Sequence, residues 1–223
     1  MDFVFTFMKS LLFSLCLIIP SIADEWVPIF DGETLKGWTN GAGKALEEGG
    51  WTAEKGVLAL AGKGGSIYTE KEYSDFEFRF EWKISKAGNS GVKYRVTKYG
   101  NQLLGPEYQV LDDANHPDGK NGGIRQSASL YDFLEADPDK KKLKPVGKWN
   151  SSRIVVKGLH LQHFLNGEKV IEITVGSDQW KELHAKSKFK GKPDFAKNPK
   201  GRIMLQDHSD PVSYRKLEVR QLR

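Results

Sequence analysis

Apolar and polar residues alternate with a period of two over much of this chain. The pattern is most regular at residues 75–84, where Phe76, Phe78, Phe80, Trp82 and Ile84 interleave with Glu77, Arg79, Glu81 and Lys83. A period of two sends successive side chains to opposite faces, so this segment predicts a long strand with one buried and one wet face. Lys86-Ala87-Gly88-Asn89 supplies turn residues, and Val92, Tyr94 and Val96 then resume the alternation against Lys93 and Arg95, which predicts a hairpin. Residues 107–111 set Tyr108 and Val110 against Glu107 and Gln109 before a loop that carries Asp112, Asp113 and His116. Three further strands are predicted at 153–157, 159–165 and 169–173, broken by Gly158 and by Asn166-Gly167, a strong signal for a tight hairpin. Residues 202–205 and 213–222 close the series and residues 56–60 open it. Only residues 177–189 depart from it: a Ser-Asp cap precedes Trp180, Leu183 and His184 at helical spacing, which predicts one short helix. Many strands with almost no helix predict an all-β fold, a two-sheet antiparallel sandwich of jelly-roll type.

The first residues follow a different logic. Lys9 precedes an apolar run at 11–19, Pro20 ends it, and Ser21-Ile22-Ala23 provides the small residues that a signal peptidase reads. Residues 1–23 are therefore expected to be a signal peptide cleaved near Ala23, with residues 24–223 forming one exported domain, periplasmic or extracellular. The single cysteine, Cys16, lies inside that signal, so the exported chain relies on core burial and not on disulfides. No later stretch approaches the roughly 20 apolar residues of a membrane helix, so the chain is not expected to be membrane-embedded. The net charge of +5 arises from 34 Lys and Arg against 29 Asp and Glu, much of the excess lying in loops such as Lys140-Lys141-Lys142. Scattered loop lysines without a basic stripe and interleaved aromatics do not make a nucleic-acid surface.

Two segments carry candidate chemistry. By parity Glu107 and Gln109 share one strand face with Lys93 and Arg95, offering acceptors and donors together, as a hydroxyl-rich ligand requires. A second strand, with Ile203 and Leu205 facing inward, ends in Gln206-Asp207-His208, placing Gln206 and His208 on the opposite face. An imidazole with an acidic neighbour suits proton transfer near neutral pH, although an Asp-His pair past a strand equally caps a turn. His163 alternates with Leu161 and Leu165 and reads as a hydrogen-bonded core histidine. Zinc-protease spacing, a nucleophile elbow, a phosphate loop and a dinucleotide fingerprint are all missing from the sequence, which removes the common protease, hydrolase, kinase and dehydrogenase designs.

A run of motifs goes further: residues 29–38 (Ile-Phe-Asp-Gly-Glu-Thr-Leu-Lys-Gly-Trp), Gly88-Asn89-Ser90-Gly91-Val92, residues 105–117, Trp149-Asn150, His163-Phe164-Leu165-Asn166-Gly167, Lys186-Ser187-Lys188-Phe189 and Gln206-Asp207-His208-Ser209-Asp210. In order and spacing these resemble the 3-keto-disaccharide hydrolase domain family over residues 26–222, with Ser209 standing where that family more often has Gly. The resemblance implies a concanavalin A-like sandwich that cleaves the glycosidic bond of a 3-keto-disaccharide or 3-keto-glucoside, after a sugar C3 oxidoreductase has made the ketone. A 3-ketone acidifies the C2 hydrogen, so a base, an electrophile for the ketone oxygen and an acid for the leaving group suffice for elimination, and water then adds back. The roles implied here are Glu107 and His208 as the proton-transfer pair, Asp207 orienting His208, and Asn89, Arg95, Gln109 and Gln206 holding hydroxyls or the oxyanion. Trp149, Trp38 and Tyr108 are candidates for stacking on sugar rings or for the core. A divalent metal ion held by Glu107 and His208 is an alternative electrophile. Two other readings remain at this point. A conventional sandwich glycosidase needs a second carboxylate where this chain has Gln109, and a non-catalytic carbohydrate-binding module needs the amides and aromatics but not the Asp-His cluster.

Overall fold

The computed structural model describes residues 25–223; the expected signal peptide and Cys16 lie outside them. Fourteen strands and one α-helix follow in the order β1 (Val27–Pro28), β2 (Trp38–Thr39), β3 (Trp51–Glu54), β4 (Val57–Leu60), β5 (Ile67–Tyr73), β6 (Phe76–Ile84), β7 (Asn89–Tyr99), β8 (Gln102–Leu104), β9 (Glu107–Leu111), β10 (Asn150–Lys157), β11 (His160–Leu165), β12 (Glu168–Thr174), α1 (Asp178–Lys186), β13 (Gly201–Leu205) and β14 (Val212–Gln221), with two short 3₁₀ helices, Pro117–Asn121 and Gly123–Arg125, between β9 and β10. Every pairing is antiparallel. One sheet has eight strands, β12-β11-β10-β6-β14-β4-β3 with β1 on β14; the other has six, β2-β5-β13-β7-β8 with β9 also on β7. The all-β sandwich expected from the alternation is the fold observed.

Between the sheets, Phe76, Phe78, Phe80, Trp82 and Ile84 of β6 meet Val92, Tyr94, Tyr108, Val110, Ile203 and Leu205 of the six-stranded sheet in one continuous core. His163 sits inside it as expected. Its Nδ1–H donates to the Ala128 carbonyl (3.1 Å) and its Nε2 accepts the Tyr94 hydroxyl (3.0 Å). Burial lowers its pKa from 6.5 to about 4, so the ring is neutral at physiological pH. The meander β10-β11-β12 forms, with Ser152 opposite Leu165 and Lys157 opposite His160 in the first pair and a register shift between His163 and Phe164 in the second. The helix α1 is capped by Ser177, whose hydroxyl accepts the Trp180 amide (3.2 Å).

Two expectations from parity fail. The strands β6 and β7 do not pair: β6 lies between β10 and β14, whereas β7 lies between β13 and β9. The turn between them crosses from one sheet to the other, held by the Asp112 carboxylate on the Ala87 amide (2.8 Å). Crossing lets two apolar faces meet across the core, a gain that flat pairing in one sheet would forfeit. Secondly, Arg95 adopts φ 45° and the register of β7 on β13 slips beside it, from Lys93 opposite Met204 to Val96 opposite Arg202. This β-bulge places Val96 with Tyr68, Met204 and Leu103 on the outer side, and not with Val92 and Tyr94.

Candidate active site on the outer face of the six-stranded sheet

Antiparallel pairing sets Lys93 opposite Glu107, Gly91 opposite Gln109 and Asn89 opposite Leu111. Tyr108 points inward, its hydroxyl 2.6 Å from Ser152 Oγ. Glu107 and Gln109 therefore take the outer face, as parity predicts. Yet the two are only 5% and 1% exposed, because residues 126–131 lie along the other edge of β9: Tyr131 N–H donates to Glu107 O (3.0 Å) and Ala128 N–H to Gln109 O (2.9 Å). Gly91 makes room for the acid. A Cβ there would stand 2.3 Å from Glu107 Oε1, so only glycine lets the carboxylate lean across the neighbouring strand. The Lys93 ammonium lies 3.6 Å from Glu107 Oε2.

A second cation comes from the loop after α1. Lys188 is exposed as a residue, but its ammonium lies over the Tyr131 ring (4.1 Å) and burial lowers its pKa, while the charges of Glu107 and Asp132 pull the other way. Asp132 holds that loop by accepting the Lys188 amide (2.8 Å) and binds Arg125 (2.9 Å). Tyr131 donates its hydroxyl proton to Asp118 (2.7 Å), which Arg125 also binds (2.9 Å). Burial raises the Tyr131 pKa, and Asp118 raises it further. Asn89 is buried and its Oδ1 accepts from Gln109 Nε2 (3.4 Å), while Gln109 Oε1 has no partner.

At the end of the same face stand His116, His208 and Asp210, each with a ligand-type atom within 4.8 Å of the others. The Asp210 carboxylate lies 3.8 Å from His208 Nδ1 and accepts the Asn89 amide (3.0 Å). The two imidazoles meet edge to face at 5.9 Å. Gln206 lies next to this group, its amide donating to Gly91 O (2.8 Å) and its carbonyl accepting the Ser90 hydroxyl (2.7 Å).

Several expected roles are corrected by these positions. Asp207 does not orient His208; it accepts the Gly64 and Gly65 amides (2.7 Å each) and the Ser209 amide (2.6 Å). Burial raises its pKa, but those amides outweigh it and hold the carboxyl below its ordinary value, so Asp207 anchors a turn and Asp210 stands beside the imidazole instead. Arg95 leaves the polar face through the bulge, 2% exposed, donating to Ser74 O (2.9 Å), Gly158 O (2.6 Å) and Asp75 (2.8 Å). Trp149 belongs to the outer face of the other sheet, under Arg215 (4.2 Å) and Lys83 (5.0 Å). Trp38 and Tyr108 are core residues. Glu107 is not part of the His208 group that could hold a metal; His116 and Asp210 are its other members. Sequence reasoning gave no role to His116, Asp210, Lys188, Tyr131 or Gly91, although the quoted motifs contain all but Tyr131.

A carboxylate, two ammonium groups and two imidazoles on one sheet face can move protons and stabilise developing negative charge. The chain matches the 3-keto-alpha-glucoside-1,2-lyase-like domain over residues 25–220. A 3-keto-disaccharide hydrolase of Bacteroides thetaiotaomicron is 39% identical, the alignment covering 92% of this chain and 81% of that protein. Among solved structures, a Parabacteroides distasonis protein assigned as a glycosyl hydrolase superposes with a TM-score of 0.79 at 29% identity, over 89% of this chain and 94% of that one. The β-glucanase of Bacillus licheniformis has a TM-score of 0.52 at 10% identity, over 90% of this chain and 99% of its own, and shares the fold alone. Fold and relatives together define a carbohydrate hydrolase built on a two-sheet sandwich. The chain belongs to the 3-keto-alpha-glucoside-1,2-lyase-like family.

Proposed function

We propose that this protein cleaves the glycosidic bond of 3-keto-glucosides or 3-keto-disaccharides by elimination and hydration. The observation that carries this reading is the buried Glu107 carboxylate, seated over Gly91 with the Lys93 ammonium 3.6 Å away. Glu107 removes the C2 proton, and the C2–H electrons form the enolate, whose oxygen is stabilised by Lys93 and Lys188. The enolate then re-forms the ketone while the C1–O1 bond breaks and C1=C2 forms. His208, beside Asp210, protonates the departing O1. Water adds to C1 of the enone and a proton returns to C2, so the net change is hydrolysis with no redox step. The substrate must already carry the ketone, which assigns its supply to an oxidoreductase acting at a sugar C3. The leader pattern of residues 1–23 supports an exported enzyme, with this reaction outside the cytoplasm.

The test offers the purified protein methyl glucoside and its 3-keto form in heavy water. Methanol release from the keto form alone, with deuterium at C2 of the product above a buffer control, is the expected result. Comparable cleavage of the plain glucoside would overturn the elimination, and binding of either without turnover would make the protein a carbohydrate-binding module.

A further inference from the structure

Resting on that substrate, we infer that His116, His208 and Asp210 form a binding subsite for a hydroxyl of the keto sugar, one that operates without a metal ion. The group resembles a two-histidine, one-carboxylate metal centre in composition and proximity. Its hydrogen bonding says otherwise. A metal-ligating imidazole presents a lone pair to the ion and donates its other N–H to an acceptor. His116 does the reverse, because its Nδ1 accepts the Asp118 amide at 3.0 Å. The neutral ring therefore carries its proton on Nε2, and neither nitrogen keeps a lone pair for a metal. Local sequence imposes this: His116 caps the 3₁₀ helix Pro117–Asn121, whose first position is a proline with no N–H, so the amide of Asp118 turns to the His116 ring.

A carboxylate able to accept and an imidazole obliged to donate are the complement of a hydroxyl, which accepts one hydrogen bond and gives another. His116 Nε2–H donates to the sugar oxygen, and the sugar O–H donates to Asp210, which leaves His208 to give its proton to O1. Asp210 is itself positioned by the Asn89 amide (3.0 Å), and Asn89 holds Gln109 through its Oδ1 (3.4 Å). That chain ends in Gln109 Oε1, a buried acceptor with no donor. A buried acceptor left in this state is destabilising, and a second hydroxyl of the same sugar relieves it.

The variant His116→Asn tests this, since asparagine keeps an oxygen that accepts the Asp118 amide and loses the distal N–H. Its KM for methyl 3-keto-glucoside should rise about tenfold, one hydrogen bond's worth, with kcat within about threefold of wild type. Nitrogen NMR of the full protein should show His116 as the Nε2–H tautomer, unmoved by one equivalent of Zn²⁺ or Mn²⁺, and turnover should survive EDTA. An unchanged KM in His116→Asn would overturn the subsite. Stoichiometric metal binding that shifts both imidazoles, or activity lost to EDTA and restored by metal, would overturn its metal-free character. If wild type turned over neither glucoside, the elimination reading would fail, and the tautomer and metal titration would still decide how this cluster is built.

Discussion

Both sheets present polar residues outward by the same alternation, yet the two outer faces are put to different use. On the eight-stranded sheet, Glu77 accepts from Arg153 (2.8 Å) and Arg220 (2.9 Å), Glu81 from Arg215 (2.6 Å) and Lys216 (2.7 Å), and Glu218 from Arg79 (2.6 Å). Guanidinium groups also cover the rings of Trp26 and Trp149. One nitrogen there, Arg220 Nε, lacks a partner, but the same guanidinium binds Glu77 and lies 4.8 Å over Trp26. On the six-stranded sheet, Glu107 has a looser cation at 3.6 Å and Gln109 Oε1 has no partner. A ladder of matched charges stabilises a wet surface modestly. Polar groups buried by neighbouring segments and left incompletely bonded are held for something that arrives later. Alternation alone cannot tell these faces apart; what lies over them does.

The sharpest way to break this comparison is a matched pair of carboxylate variants. Glu107→Gln should lower kcat/KM on a 3-keto-glucoside by about 10³-fold, roughly 4 kcal/mol of barrier, while Glu81→Gln stays within about twofold. Equal losses would erase the distinction. Next comes Arg95→Met, which removes an interior guanidinium and strands its partners. Urea unfolding should show a loss of about 3 kcal/mol, with kcat per folded molecule unchanged. A folded but inactive Arg95→Met protein would return Arg95 to the substrate face.

The interior between the faces supplies the third measurement. His163 titrates at about 4 when folded and at the ordinary 6.5 when unfolded, so between these values the unfolded chain holds the extra proton. Stability therefore falls as pH drops through that window, by about 2 kcal/mol from pH 7 to 4.5, and this contribution levels off below pH 4. Denaturant midpoints across that range should follow this slope, and a flat profile would mean the ring is solvated. The smallest effect belongs to Trp149→Ala: about 1 kcal/mol of stability from its cation–π contacts, with KM unchanged. A raised KM would bring the eight-stranded face into sugar binding.

Much of this was legible in the chain. The strict alternation of β6, the Asn166-Gly167 turn and the parity of Glu107 with Gln109 all depend on local rules, and the fold keeps them. The failures share a cause that no period of two contains. Whether β6 and β7 pair or cross is decided by which apolar faces meet in three dimensions, and Arg95 left its expected face because one left-handed residue offsets the strand. Asp207 and Asp210 have the same chemistry three residues apart, and only the amides of Gly64 and Gly65, far away in sequence, decide which of them the turn consumes. His116 lies in a loop with no period to count, so its meeting with His208 is a long-range fact that the sequence does not show.

The missing side chain at Gly91 ties two positions into one heritable unit. An alanine there would thrust a methyl carbon to within 2.3 Å of the Glu107 carboxylate oxygen and 3.1 Å of its carboxyl carbon, so a lineage cannot change residue 91 while keeping that acid where it is. Nor would restoring bulk be neutral after the acid is lost, since it would close the way back. A shorter aspartate at 107 is the one acidic escape, and it would pull the carboxylate toward its own strand and away from the next. Drift at this spot is thus confined to paired changes, and a survey of natural variation should find the two positions moving together.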